Sequence, residues 1–207
     1  MNYIKKLIFP SGKYHKSYGK YISWSFVSNV IVSAETVLST HSMLSAVSTD
    51  NTELVRTANY VGKDIIGQIG SLYYISKIGG KADKDPKKFL LYSNIIQQSS
   101  YMANCITPMF PSYFLYIAGI SNIASNISFT GFGAVNARCI QILAIDDNIG
   151  EVYSKVSIVN TIGSSIGMII GLCITSIFPD HETRLFLIPF LGIARVYTYR
   201  KAFQDII

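Results

Sequence analysis

The stretch Phe89–Ala137, FLLYSNIIQQSSYMANCITPMFPSYFLYIAGISNIASNISFTGFGAVNA, contains no Asp, Glu, Lys, Arg or His. A helix needs about 20 mostly apolar residues to cross the hydrocarbon core of a bilayer, so this run has room for two crossings. Pro108 and Pro111 divide it, because proline lacks an N–H and ends a helix near the preceding residue. The result is one segment over Phe89–Thr107 and another over Tyr113–Ala137. A second uncharged run, Val156–Phe178, has the length of a single span and stops at Pro179. A soluble protein can bury one such helix, but not most of its chain. Only 14% of residues are charged, against roughly 25% in soluble globular proteins, and mean hydropathy is +0.32. The expected fold is all-α: a polytopic membrane helix bundle.

Three further segments complete the bundle. Tyr21–Val47 contains Glu35 and His41, Leu54–Ile78 contains Lys63 and Asp64, and Leu185–Tyr199 contains Pro189, a residue that membrane helices tolerate as a kink. Residues 1–20 form a basic segment, and 21–207 a single membrane helical domain of six spans. Leu7–Pro10 is too short an apolar core for a signal peptide, so insertion relies on the internal helices.

The distribution of basic residues orients these spans. With a cytoplasmic N-terminus, the inner side holds Lys5, Lys6, Lys13, Lys16 and Lys20, then Lys77, Lys81, Lys84, Lys87 and Lys88, then Arg138, Lys155, Arg195, Arg200 and Lys201. The outer side holds Arg56 and Arg184. This is the asymmetry of the positive-inside rule. The first two segments carry internal charges, so a four-span arrangement with those two re-entrant or interfacial is the competing reading.

A net charge of +6 raises the question of a nucleic-acid footprint. The lysines, however, cluster between apolar stretches and no recognition helix or zinc-finger pattern accompanies them, so no nucleic-acid partner is expected. Cys105, Cys139 and Cys173 are isolated and read as small buried hydrophobes. No metal or cofactor is expected. His15, His41 and His181 are scattered, no serine sits in a Gly-x-Ser-x-Gly elbow, and Asp146-Asp147 reads as a solvated loop pair, so no catalytic residue is assigned and the chain is not expected to be an enzyme.

Ionisable side chains inside membrane segments are functional candidates by default. Here they are Glu35, His41, Lys63 and Asp64, with Arg138 at the end of its segment. Glu35 and His41, six residues apart, point to different faces of one helix. Lys63 and Asp64 are each expected to pair with groups on other helices, and a bond from Asp64 to a neighbouring amide or basic group would be purely structural. Gly163, Gly167 and Gly171 line one helix face and let another backbone approach, most simply within the same chain. Arg56, Asn59, Lys63, Gly67, Gly70 and Tyr74 follow three-and-four spacing and are expected to face inward.

The chain resembles the root UV-B sensitive family along nearly its whole length. Ile8-Phe9-Pro10-Ser11-Gly12 with Tyr21 is similar to that family's opening element, and Trp24 and Leu38–His41 to its next helix. Lys63-Asp64-Ile65-Ile66-Gly67-Gln68-Ile69-Gly70 matches its central Asp-x-x-Gly-x-x-Gly element, followed by the Asp83–Lys88 loop. Gly131, Gly133 and Arg138 match a glycine-rich helix with a downstream arginine. Asn148, Val152, Lys155, Asn160 and Gly163 match a further element, and Tyr197–Arg200 a closing one. There are departures. Val47-Ser48-Thr49 stands where a Gly-x-Gly is usual, and Ser71 where relatives carry Arg. Relatives continue beyond the last shared helix and some begin with a plastid-targeting extension, so activities needing those regions are not expected here.

The resemblance implies a link to vitamin B6 homeostasis, but no residue pattern forms a pyridoxal-phosphate site, and Lys63 lacks a phosphate cup around it. Six helices in one repeat look like half of a major facilitator transporter, whose two repeats enclose a midplane site. Two readings follow. One is a transporter-like protein for an unnamed small solute, working as a homodimer in the bilayer or with a family partner. The other is a non-catalytic membrane scaffold that binds partners through its basic face.

Overall fold

The computed structural model describes residues 2–47, 52–78 and 84–206. Among them, regular structure is helical: α1 (Asn2–Ile8), α2 (Tyr18–Val47), α3 (Glu53–Ile78), α4 (Pro86–Ile106), α5 (Phe114–Leu143), α6 (Ile149–Ile177) and α7 (His181–Phe203). Lys81, Asp83, Ser48 and Thr49 lie outside the described residues. Each of the six long helices overlaps one expected segment. Between α4 and α5 lie two short 3-10 turns, Thr107–Met109 with Pro108 second and Pro111–Tyr113 with Pro111 first, positions where their missing N–H groups are not needed. Pro189 sits inside the continuous helix α7.

The helices alternate in direction. Gly163, Gly167 and Gly171 of α6 descend along Phe26, Val30 and Ala34 of α2 in the same order, so α2 and α6 run parallel. A Cβ on Gly163 would lie 2.9 Å from the Phe26 carbonyl, and one on Gly167 would collide with the Val30 carbonyl. This backbone-to-backbone fit is the packing open to helices that lack a hydrophobic drive to associate. In contrast, Ser28 bonds Thr198 at 2.8 Å and Glu35 meets Arg195, so α2 and α7 are antiparallel. Ser100 and Ser121 exchange hydroxyl-to-carbonyl bonds of 2.9 and 3.0 Å between antiparallel α4 and α5. Helix α3 lies at the edge, packed against α5 through Gly67, which abuts Asn122, and Gly70, which abuts Ile123.

The α3 face differs from its expected course. Lys63, Gly67 and Ser71 are its buried residues, while Arg56 and Tyr74 are exposed and Asn59 is half-buried. Steps of four residues carry the inward stripe to Ser71, because a single straight contact with α5 covers a narrow line of the helix.

Apolar clusters close both ends of the bundle. Tyr18, Tyr21, Leu143, Val152, Val156 and Phe203 pack at one end; Met43, Ala46, Val47, Phe114 and Ala118 pack at the other. Between them lie many buried polar groups, Ser28, Glu35, Ser39, Ser42, Ser93, Asn94, Gln97, Ser100, Ser121, Ser128, Arg195 and Thr198, beside a third apolar cluster of Leu38, Tyr101, Cys105 and Ile188. Ile65, Ile69, Leu72, Ile95, Ile120, Ile169, Leu172, Phe186, Phe190 and Ile193 point outward and are more than half exposed. Among the described residues, two helices, α2 and α6, are long and apolar enough to cross a membrane by length and composition.

Residues before α2 are tied to the body. Glu151 Oε1 accepts hydrogen bonds from the Ser11 N–H at 2.8 Å and the Ser11 hydroxyl at 2.7 Å, which hold its carboxyl below the usual range. Lys155 donates to the Lys6 carbonyl at 2.6 Å and Asn148 to that of Lys13 at 3.0 Å. The Phe9–Gly12 element and the Asn148–Gly163 element, far apart in sequence, thus form one clasp.

Candidate functional site

The polar middle of the bundle opens into a cavity of about 140 Å³ between α2, α3, α4 and α5. Helix α2 contributes Thr36, Ser39 and Thr40; α3, Tyr60 and Lys63; α4, Ser100, Tyr101 and Asn104; α5, Ser121, Asn122 and Ser125. Short hydroxylated and amide side chains at helical spacing let these helices approach while leaving donors and acceptors turned inward. At roughly 30 Å³ per water molecule, the space holds a few waters or a small polar solute.

Its wall is partly satisfied and partly open. Asn104 donates to Ser39 Oγ at 3.0 Å, and Gln97, which does not itself line the cavity, donates at 2.9 Å to Oγ of the lining residue Ser125. Asn104 Oδ1 and Gln97 Oε1 are buried with no hydrogen-bond partner among the described residues. A buried acceptor left this way costs free energy unless water or a solute reaches it.

Lys63 and Asp64 pair with each other at 2.7 Å, where the sequence leads to the expectation of separate partners. Adjacent residues on a helix diverge by about 100°, so the long lysine stem has to fold over the Tyr60 ring, 4.0 Å below its ammonium. Asn122 of α5 completes the group, donating to Asp64 Oδ1 at 2.8 Å and to the Lys63 carbonyl at 3.2 Å.

Beside the cavity lies a buried ion pair. Arg195 Nη1 stands 3.1 Å from Glu35 Oε2 and neither side chain is exposed. Arg195 Nη2 donates to the Asn94 carbonyl at 2.9 Å, and the guanidinium lies over the Tyr101 ring at 5.6 Å. The Tyr101 hydroxyl bonds Thr36 Oγ1 at 2.8 Å on the cavity wall, so one residue touches both features. His41 bonds Arg184, which also donates to the carbonyls of Pro179 and Asp180 and is 2% exposed.

These contacts correct the charge assignment. Arg195 and Arg184, counted above with the inner and outer surface charges, are both interior residues of α7. Arg195 neutralises the buried Glu35 of α2, which the core would otherwise leave bare, and Arg184 hydrogen-bonds His41 of the same helix, which is itself exposed. Arg195 lies inside the expected segment Leu185–Tyr199, and that position was the signal for it. Arg138 is exposed near the C-terminal end of α5, away from the cavity. Tyr101 and Asn122 drew no attention in the sequence because neither is charged. Among the described residues, no three of His, Cys, Asp and Glu converge as a metal site would require.

A family profile described as the vitamin B6 photo-protection and homoeostasis domain matches residues 1–207. Among curated proteins, root UVB sensitive 4 of Arabidopsis thaliana is 26% identical over 84% of this chain and 34% of its own length. Root UVB sensitive 5 of the same plant is 31% identical over 83% of this chain and 36% of its own. RUS family member 1 of Dictyostelium discoideum is 23% identical over 88% and 36%. The chain therefore spans little more than a third of the length of these relatives. No solved structure matches.

Proposed function

The chain belongs to the root UVB sensitive family, whose shared unit is a vitamin B6 photo-protection and homoeostasis domain, and on that premise we propose that it is a multi-pass membrane protein of transporter type. In this reading the polar cavity at the centre of six alternating spans binds a small polar solute related to vitamin B6. The observation that carries it is the inverted distribution of polarity. Serines, amides and ion pairs fill the middle of the bundle, while large aliphatic and aromatic side chains cover its outside. Water would drive the reverse arrangement, whereas lipid favours this one.

The six-helix unit resembles one half of a major facilitator transporter in helix number and alternation. Rocking around a central site needs two such halves, so the proposal includes a homodimer in the bilayer. The chain binds and conveys its solute without chemical change. The N-terminus and the lysine-rich helix ends face the cytoplasm.

The test is counterflow in liposomes containing the purified chain, with radiolabelled pyridoxine and pyridoxal as probes. Accumulation above protein-free liposomes is expected, and it should fall to background in Ser121→Leu, which fills the cavity. Folded protein that moves neither probe overturns the transport reading and leaves the scaffold as the better account. In that case the basic helix ends would recover a protein partner, and neutralising Lys84, Lys87 and Lys88 would release it.

A further inference from the structure

A larger cleft, about 780 Å³, opens at the lysine-rich end of the bundle between the start of α4 and the end of α7. Its composition changes with depth. At the mouth stand Lys87 and Lys88 on one wall and Arg200 and Lys201 on the other, with Asp85 as the one acidic residue among those lining it. Closer to the middle of the two helices, the walls become Leu90, Leu91, Val196 and Tyr197. Four cations against one carboxylate face a shared space above an apolar slot. A soluble anion would use the mouth alone and a neutral lipid only the slot. A molecule with an anionic head and an acyl chain matches both.

We propose that this cleft is a binding site for one anionic phospholipid, its phosphate held by Lys87, Lys88, Arg200 and Lys201 and one acyl chain laid against Leu91 and Tyr197. Basic pockets between helices at a membrane surface recognise such headgroups, each nearby cation adding to the attraction. The inference rests on the membrane reading given above. It is distinct from general attraction to the basic end of the protein, because Lys13 and Lys16 lie at the same end but line no part of the cleft.

Trp24, the single tryptophan, provides the readout. Its ring meets Tyr197 edge-on with centroids 5.9 Å apart, and the Lys201 ammonium lies over the Tyr197 ring, 5.7 Å from its centre. The experiment reconstitutes the full chain in phosphatidylcholine vesicles with increasing fractions of brominated phosphatidylglycerol or brominated phosphatidylcholine, and measures Trp24 quenching. The brominated anionic lipid should quench at a lower fraction than the neutral one. That preference should fall by about fivefold for each basic residue removed in K87Q/K88Q and R200Q/K201Q, and persist in K13Q/K16Q.

Equal quenching by the two lipids, or an equal loss in K13Q/K16Q, overturns the site. Inorganic phosphate that abolishes the preference, where chloride of the same ionic strength does not, overturns the lipid assignment in favour of a free anion. Protein extracted from vesicles by carbonate overturns the membrane reading together with this inference. Inserted protein that is indifferent to headgroup overturns this inference alone.

Discussion

Glu35 of α2 and Arg195 of α7 meet at 3.1 Å with neither side chain exposed, and no other acidic side chain is fully buried among the described residues. An isolated charge in such surroundings is costly, while a matched pair is close to neutral relative to apolar side chains of the same size. Glu35→Leu and Arg195→Met should therefore each destabilise the bundle by about 3–5 kcal/mol, and the double variant should recover most of the loss. Denaturant unfolding in detergent measures this. Additive losses in the double variant would mean that the two groups do not depend on each other.

The α2–α6 contact should tolerate no side chain at Gly167. A Cβ there meets the Val30 carbonyl and the Ser33 side chain, and a backbone atom cannot rotate away. Gly167→Ala should cost roughly 1–3 kcal/mol through overpacking. Gly133, also inside a helix, has nothing within 4 Å of such an atom, so Gly133→Ala should be neutral or stabilise by up to about 1 kcal/mol. Paired thermal unfolding of the two variants reads the contrast.

The Ser11–Glu151 clasp should open in acid. Two hydrogen bonds from Ser11 hold the Glu151 carboxyl below its ordinary value, so its contribution to stability is complete above an unfolded glutamate's pKa of about 4.3. That contribution is lost as pH falls through the lower folded value. Hydrogen exchange at the Ser11 amide should accelerate over that interval. In Glu151→Gln the exchange should be fast and show no such transition.

Helix alternation predicts which loops share a side. With Cys105, Cys139 and Cys173 replaced by Ser, single cysteines at Lys84 and Asp147 should react with an impermeant thiol reagent from the cytoplasmic side. A cysteine at Thr52 should react from the opposite side. Labelling of all three from one side would remove the six-span topology and favour re-entrant α2 and α3.

The six long helices and the breaks between them were legible because they are local, whereas the short α1 (Asn2–Ile8) was not expected. Phe89–Thr107 and Tyr113–Ala137 stand out as uncharged runs split by two prolines, and the structure's α4 and α5 cover most of both. The ends were less legible where charge was taken as a stop. Helix α5 runs past Arg138 to Leu143, because the arginine points outward while Cys139, Ile140 and Leu143 stay buried on the other face. Helix α6 begins at Ile149 for the same reason, with Glu151 exposed or half-buried and Val152 fully buried. The glycine stripe of α6 showed that something approached closely, and its partner, α2, was one of five other helices until the packing was seen.

From the sequence alone come the six long helices, their order, the inward placement of Lys63 and Gly67 on α3 and the presence of charges that need partners, since hydropathy, proline and helical spacing act over a few neighbouring residues. Which charges pair was decided only by the tertiary structure. Arg195 looked like a surface charge because linear distance, 160 positions from Glu35, says nothing of a contact made when two antiparallel helices lie side by side. The cavity is likewise a property of four helices together, built largely from serines, threonines, amides and two tyrosines that individually carry no distinguishing signal.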